Sequence, residues 1–135
     1  MMKITDSKQI DQHLLKNIQM RLHSGKLPCA VAFDIAEHCQ TSVLKVGKTV
    51  DLAGIRLSKC QLGLFGYSPE NKILKTLENL DPELEQAIKA KQQDNVIQCA
   101  EIWEIAKNLG LRKLTVSFGC ETLKLKIKGC QLGAF

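Results

Sequence analysis

No stretch of this chain stays apolar for more than a few residues, far short of the roughly 20 that a membrane-spanning helix requires. The opening Met-Met-Lys-Ile-Thr-Asp-Ser also lacks the apolar centre of an export signal. The expectation is a cytoplasmic protein with no membrane partner. Six cysteines are present but no Cys-x-x-Cys pair is, and without an export signal they are expected to be thiols, not a disulfide framework. Nor is there a Ser/His/Asp set, a pair of catalytic carboxylates or a phosphate-binding loop. Charge of one sign is also scarce. The net +5 is modest, and it divides into nine Lys/Arg against five Asp/Glu over residues 1–66 and ten against nine over 67–135. The first half is the more basic, which suits an anionic partner without demanding one.

What is present is a repetition. Shifting the chain by seventy residues lays Leu27–Phe65 on Ile97–Phe135 without a gap, with eleven identities in 39 columns. They run from Cys29, Ala30, Ile35 and Ala36 to the closing string Cys60-Gln61-Leu62-Gly63-x-Phe65, which returns as Cys130-Gln131-Leu132-Gly133-x-Phe135. Upstream, Asp11, Leu14 and Ile18 meet Asp81, Leu84 and Ile88. A unit of about 55 residues is too long for a solenoid repeat and reads as a small domain duplicated in tandem. His13, His23 and His38 fall opposite Glu83, Gln93 and Asn108, so no histidine is shared, and the chain is expected to be non-enzymatic and without a cofactor.

Within each unit the apolar spacing predicts three helices. Leu14, Ile18 and Leu22 recur every four residues after Asp11, and Asp81-Pro82 opens the matching helix. Cys29–Cys39 and Cys99–Leu109 form the second helix, and Val43–Ala53, stopped by Gly54, the third. Alternation then sets in: Ile55 and Leu57 oppose Arg56 and Ser58, and Leu125 and Ile127 oppose Lys124, Lys126 and Lys128. Between the units, Ser68-Pro69 starts a helix whose stripe is Ile73, Leu74, Leu77 and Leu80.

Ala106, Gly110 and Val116 meet the steric demands of a helix-turn-helix: a small residue at the crossing, a left-handed turn and a branched lock. The first copy has Ala36 and Val46 but Gln40 at the turn. With the strand that follows, this order resembles the winged-helix, or helix-turn-helix, family. The resemblance implies a mainly α fold with small β wings. Residues 1–66 and 81–135 would be two winged-helix-like domains, joined by a helical linker over 67–80.

The resemblance further implies a DNA-binding, transcription-regulatory role on double-stranded DNA, possible as a homodimer. Ser42, Lys45 and Lys48 would face DNA from the first copy, and Arg112, Lys113, Lys124, Lys126 and Lys128 from the second. Clustered Arg, Asn and Gln for base reading are missing. The alternative is an accessory module that docks a protein partner or binds zinc or an iron–sulfur cluster through Cys29, Cys60, Cys99 and Cys130. Thirty-one-residue steps within each copy argue against a ligand set, and cysteine as a small buried apolar residue suffices. Charge geometry separates these readings. Third helices and lysines on one face favour DNA, whereas an apolar groove there favours a protein.

Overall fold

The computed structural model describes residues 10–135 and is mainly helical with short strands. The first copy runs α1 (Gln12–Gln19), β1 (Lys26–Pro28), α2 (Cys29–His38), α3 (Val43–Leu52) and β2 (Arg56–Ser58). The second runs α4 (Pro82–Lys91), β3 (Val96–Gln98), α5 (Cys99–Leu109), α6 (Lys113–Thr122) and β4 (Lys126–Lys128). Local chemistry starts each first helix. The Leu14 N–H donates to Asp11 Oδ1 at 3.0 Å, and the Glu83 N–H to Asp81 Oδ1 at 2.8 Å, with Pro82 occupying the first turn. Leu14 and Ile18, and Leu84 and Ile88, are then buried one turn apart.

The turn between the second and third helices is the same in both copies despite its different residue. Gln40 takes φ 53° and Gly110 φ 67°, and the next residue closes each turn, Thr41 N–H to the Ala36 carbonyl and Leu111 N–H to the Ala106 carbonyl, both 2.9 Å. The left-handed backbone that glycine adopts freely is thus imposed on glutamine by the packed helix pair. Ser42 then caps α3, its hydroxyl accepting the Lys45 N–H at 3.1 Å.

The strands do not form wings. In each copy the strand after the third helix pairs in parallel with the strand before the second, Leu27 opposite Leu57 and Ile97 opposite Ile127. A parallel pair needs a crossover, supplied here by the two intervening helices. No antiparallel wing hairpin occurs among the described residues. Lys124 lies outside the strand, in a left-handed turn at φ 60° where the first copy has Gly54.

The segment over 67–80 is not the helix its stripe predicts. Tyr67 and Asn71 exchange backbone hydrogen bonds at 3.1 and 2.9 Å, and Asn71 turns left-handed at φ 61° while accepting the Gly66 N–H at 2.8 Å. Ile73 then seats on Gly63 of the exchanged loop, the Leu77 N–H bonds Thr122, and Leu80 packs on the second copy's core. Tertiary burial thereby outweighs helix propensity.

The two copies contribute residues to each other's cores. One cluster holds Leu84, Ile88, Ile97, Ile102, Ile105 and Val116 of the second copy together with Cys60 and Leu62 of the first. The other holds Leu14, Ile18, Leu27, Ile35, Val46 and Val50 of the first with Leu132 of the second. The two Cys-Gln-Leu-Gly-x-Phe strings are thus exchanged. Each forms the same closed loop, with Gly63 and Gly133 donating to the Cys60 and Cys130 carbonyls at 2.9 Å, and each pushes its leucine into the other copy.

Residues at equivalent positions also touch one another. Phe33 packs on Trp103 at 4.3 Å between ring centroids, and Phe65 meets Phe135 edge-on at 6.2 Å. Contact of a position with its own counterpart is the mark of an isologous interface, so the chain is a pseudo-twofold dimer made from one polypeptide.

Candidate functional site

The exchanged loops lie against the third helices, and there the copies diverge. In the second copy Ser117 is buried and donates its hydroxyl to the Leu62 carbonyl at 2.6 Å. In the first copy the same place is Gly47, where a Cβ would collide with the Leu132 carbonyl oxygen. Only glycine admits so close an approach. Outside this contact α3 borders an open groove of about 730 Å³, whose walls include Leu44, Ile55, Leu57, Gly133 and Phe135, with Lys48, Asp51 and Arg56 supplying charge. Leu44 is 60% exposed and Phe135 42%, both large apolar side chains left facing water.

The equivalent surface of α6 is covered. Ile73 donates its N–H to the Gly63 carbonyl at 2.8 Å, and its Cγ1 lies 3.0 Å from where a Gly63 Cβ would be. The Lys75 ammonium stands 5.4 Å from the centre of the Phe118 ring, a cation–π distance. The Leu77 N–H reaches Thr122 Oγ1 at 2.8 Å. Phe118, which stands at the sequence position of Lys48, is therefore half-buried under the chain's own linker.

The residues expected to face DNA are dispersed. The Ser42 hydroxyl is engaged as a helix cap. Lys45 is paired with Asp11 at 3.3 Å, and the Leu14 N–H followed by Lys45 holds the Asp11 carboxyl below the ordinary carboxylate range. Lys48 lies on the groove. Lys113 is at the seam between copies, 4.1 Å from the centre of the Trp103 ring and 3.3 Å from Gln61 Oε1. Arg112, Lys124, Lys126 and Lys128 are exposed. The third-helix residues Thr49 and Ser117 are buried.

The shared cysteines come to the same seam as thiols. Gln61 donates its amide to Cys29 Sγ at 3.6 Å, and Gln131 to Cys99 Sγ at 3.5 Å, which gives the repeated glutamine a structural task. Burial pushes the Cys29 thiol up to about 11 and raises Cys60 and Cys99, with the neighbouring Cys130 acting in the same direction. Among the described residues no group of three or more Cys, His, Asp or Glu side chains is placed to hold a metal ion.

Sequence reasoning did not find the exchange of leucines or the groove it creates. The aromatic pairs 33/103 and 65/135 were the available signal, because residues on a twofold axis meet their own counterparts.

Fold and site together define a mainly helical, internally duplicated protein with a pseudo-twofold axis and an apolar groove that the described residues leave open on one copy. No helix among the described residues is long and apolar enough to cross a membrane. Comparison with protein-family models, with curated proteins and with solved structures finds no match to the chain.

Proposed function

We propose that the protein is a non-enzymatic protein-interaction module whose working surface is the groove along α3. One observation supports this reading: among the described residues nothing fills the apolar groove of the first copy, whereas its counterpart in the second is covered by a segment of the same chain. A surface that the fold can satisfy with a peptide in one copy is suited to receive one in the other. Exposed large apolar residues at a groove with a charged rim have the composition of a peptide-docking site. Selection of a random displayed-peptide library on the wild-type protein tests it. Enriched peptides that are no longer retained by Leu44→Asp are expected. Failure to enrich any groove-dependent peptide would remove the reading.

A second reading, contact with double-stranded DNA, is favoured by one edge of the second copy. Lys126 and Lys128 on β4, and Lys124 just before it, are exposed, and none is in an ion pair among the described residues. Alternate residues on one side of a strand repeat at about 6–7 Å, a spacing that suits consecutive phosphates. Fluorescence anisotropy with a mixed-sequence duplex is expected to show binding that weakens steeply with salt and when all three lysines become alanine. Absence of binding at low salt would end the DNA reading.

A further inference from the structure

We infer that the hollow between α5 and the start of α6 is a binding site for a small aromatic anion, a flat ring system carrying a carboxylate or a phosphate. The hollow shares no lining residue with the groove along α3, so this site goes beyond the docking reading above. Its volume of about 590 Å³ lies within the range of small-molecule sites and exceeds what a bare inorganic anion fills. Ala100, Trp103 and Leu111 give it an apolar wall, and Lys107, Arg112 and Lys113 bring positive charge to it.

Charge sets the sign of the ligand. None of the three cations is in an ion pair among the described residues. The Lys113 ammonium rests against neutral groups, the Trp103 ring at 4.1 Å and Gln61 Oε1 at 3.3 Å. Glu104, the acid on this wall, is already paired with Lys91 at 3.2 Å. Three uncompensated positive charges around an apolar wall attract an anion more strongly than the same charges spread through water. The fold gives no reason for the cluster, because the first copy builds the same turn with Glu37, Ser42 and Val43 at the places of Lys107, Arg112 and Lys113.

The indole sets the shape of the rest of the ligand. Phe33 packs on Trp103 at 4.3 Å and the Lys113 ammonium stands over the ring, which leaves the edge of the indole to the hollow. An aromatic edge, with its positive rim, is best met by the face of another ring. Nε1 of this indole is also buried without a hydrogen-bond partner, which marks the same residue as incompletely satisfied within the chain alone.

The chain has a single tryptophan, so the one indole N–H signal in a proton–nitrogen correlation spectrum of the full chain reports on this hollow. Four probes are titrated: AMP and naphthoate as aromatic anions, adenosine as a ring without the charge, and inorganic phosphate as the charge without a ring. At least one aromatic anion is expected to move the signal with a midpoint below about 1 mM, about 10-fold below that of adenosine or phosphate. Arg112 is exposed, so Arg112→Glu should keep the native circular dichroism while weakening that binding about 10-fold, with adenosine unaffected and Arg112→Lys restoring most of the loss. Failure of both aromatic anions to bind below about 1 mM, or binding indifferent to Arg112→Glu, would overturn the inference. So would phosphate that binds as tightly as the aromatic anions, which would make the hollow a site for bare anions.

Discussion

Helices α3 and α6 hold equivalent places in a duplicated frame, yet among the described residues α3 borders an open groove where the linker covers α6. Beneath them the frame is kept closely. Both copies use an aspartate cap, a left-handed turn residue, a parallel strand pair and an exchanged leucine loop. Above it the copies part, with Leu44 and Lys48 in water and Leu114 and Phe118 under the linker. The comparison separates what the fold needs twice from what it needs once. Cores and turns are needed twice because neither copy closes without the other's leucine, while an open groove is retained on one copy.

The exchange is the strongest part of this comparison and the first to try to break. Leu62 and Leu132 are 1% and 3% exposed, each within the other copy's core. Truncating either to alanine is expected to cost about 2–5 kcal/mol, the range for deleting a buried leucine side chain. Chemical denaturation should register both losses in a single transition, because each leucine joins the two copies. Separate transitions, or a near-zero cost for either variant, would mean that the copies fold as independent domains.

A smaller effect distinguishes the cores themselves. Cys120 stands at the place of Val50, and burial pushes its thiol up to about 12, from an ordinary value of 9.0. The folded state holds this proton more tightly than the unfolded state does. Its stabilising contribution is therefore complete below pH 9 and is lost as pH rises from 9 through 12. Cys120→Val, which borrows the first copy's residue, is expected to change stability at pH 7 by less than about 1.5 kcal/mol. Between pH 9 and 10.5 it should spare about 1–2 kcal/mol of the decline seen in the wild type. Parallel pH curves for the two proteins would show that Cys120 titrates freely in the folded state.

Much of the frame was legible in the sequence, and the reason is local. Caps and helix faces follow from residues within one or two turns, so Asp11, Pro82 and the Leu14/Ile18 spacing each marked an element that formed. The seventy-residue register carried the internal duplication as well. What escaped were pairings between distant segments. The 67–80 stripe has helical spacing, but Ile73 seats on the exchanged loop at Gly63 while Leu80 packs on the second copy's core. The wing failed for a similar reason, since the alternating strand finds its partner some thirty residues upstream and in parallel, not in a following hairpin. Lysines chosen by helix position included Lys45, which pairs with Asp11 of its own copy, and Lys113, which sits by Trp103 and Gln61, contacts that only the folded chain reveals.

Gln40 gives the finest version of the comparison, because only the residue differs and the turn does not. At φ 53° it holds a conformation that costs a side-chain-bearing residue roughly 1–2 kcal/mol, while Gly110 holds the same turn at φ 67° without that strain. Glycine also lowers stability by widening the unfolded ensemble, by about 0.5–1 kcal/mol, which offsets part of the gain. Gln40→Gly is therefore expected to stabilise the chain by about 0.5–1 kcal/mol, and Gly110→Gln to destabilise it by a similar amount, both measured by urea denaturation. The side chain of Gln40 is exposed, so no lost contact should blur the result. Stabilisation by the first change and loss by the second would show that the two turns are energetically as well as geometrically alike. A loss from Gln40→Gly would mean that the glutamine makes a favourable contribution that its φ conceals, and the equivalence of the copies would then stop at their backbones.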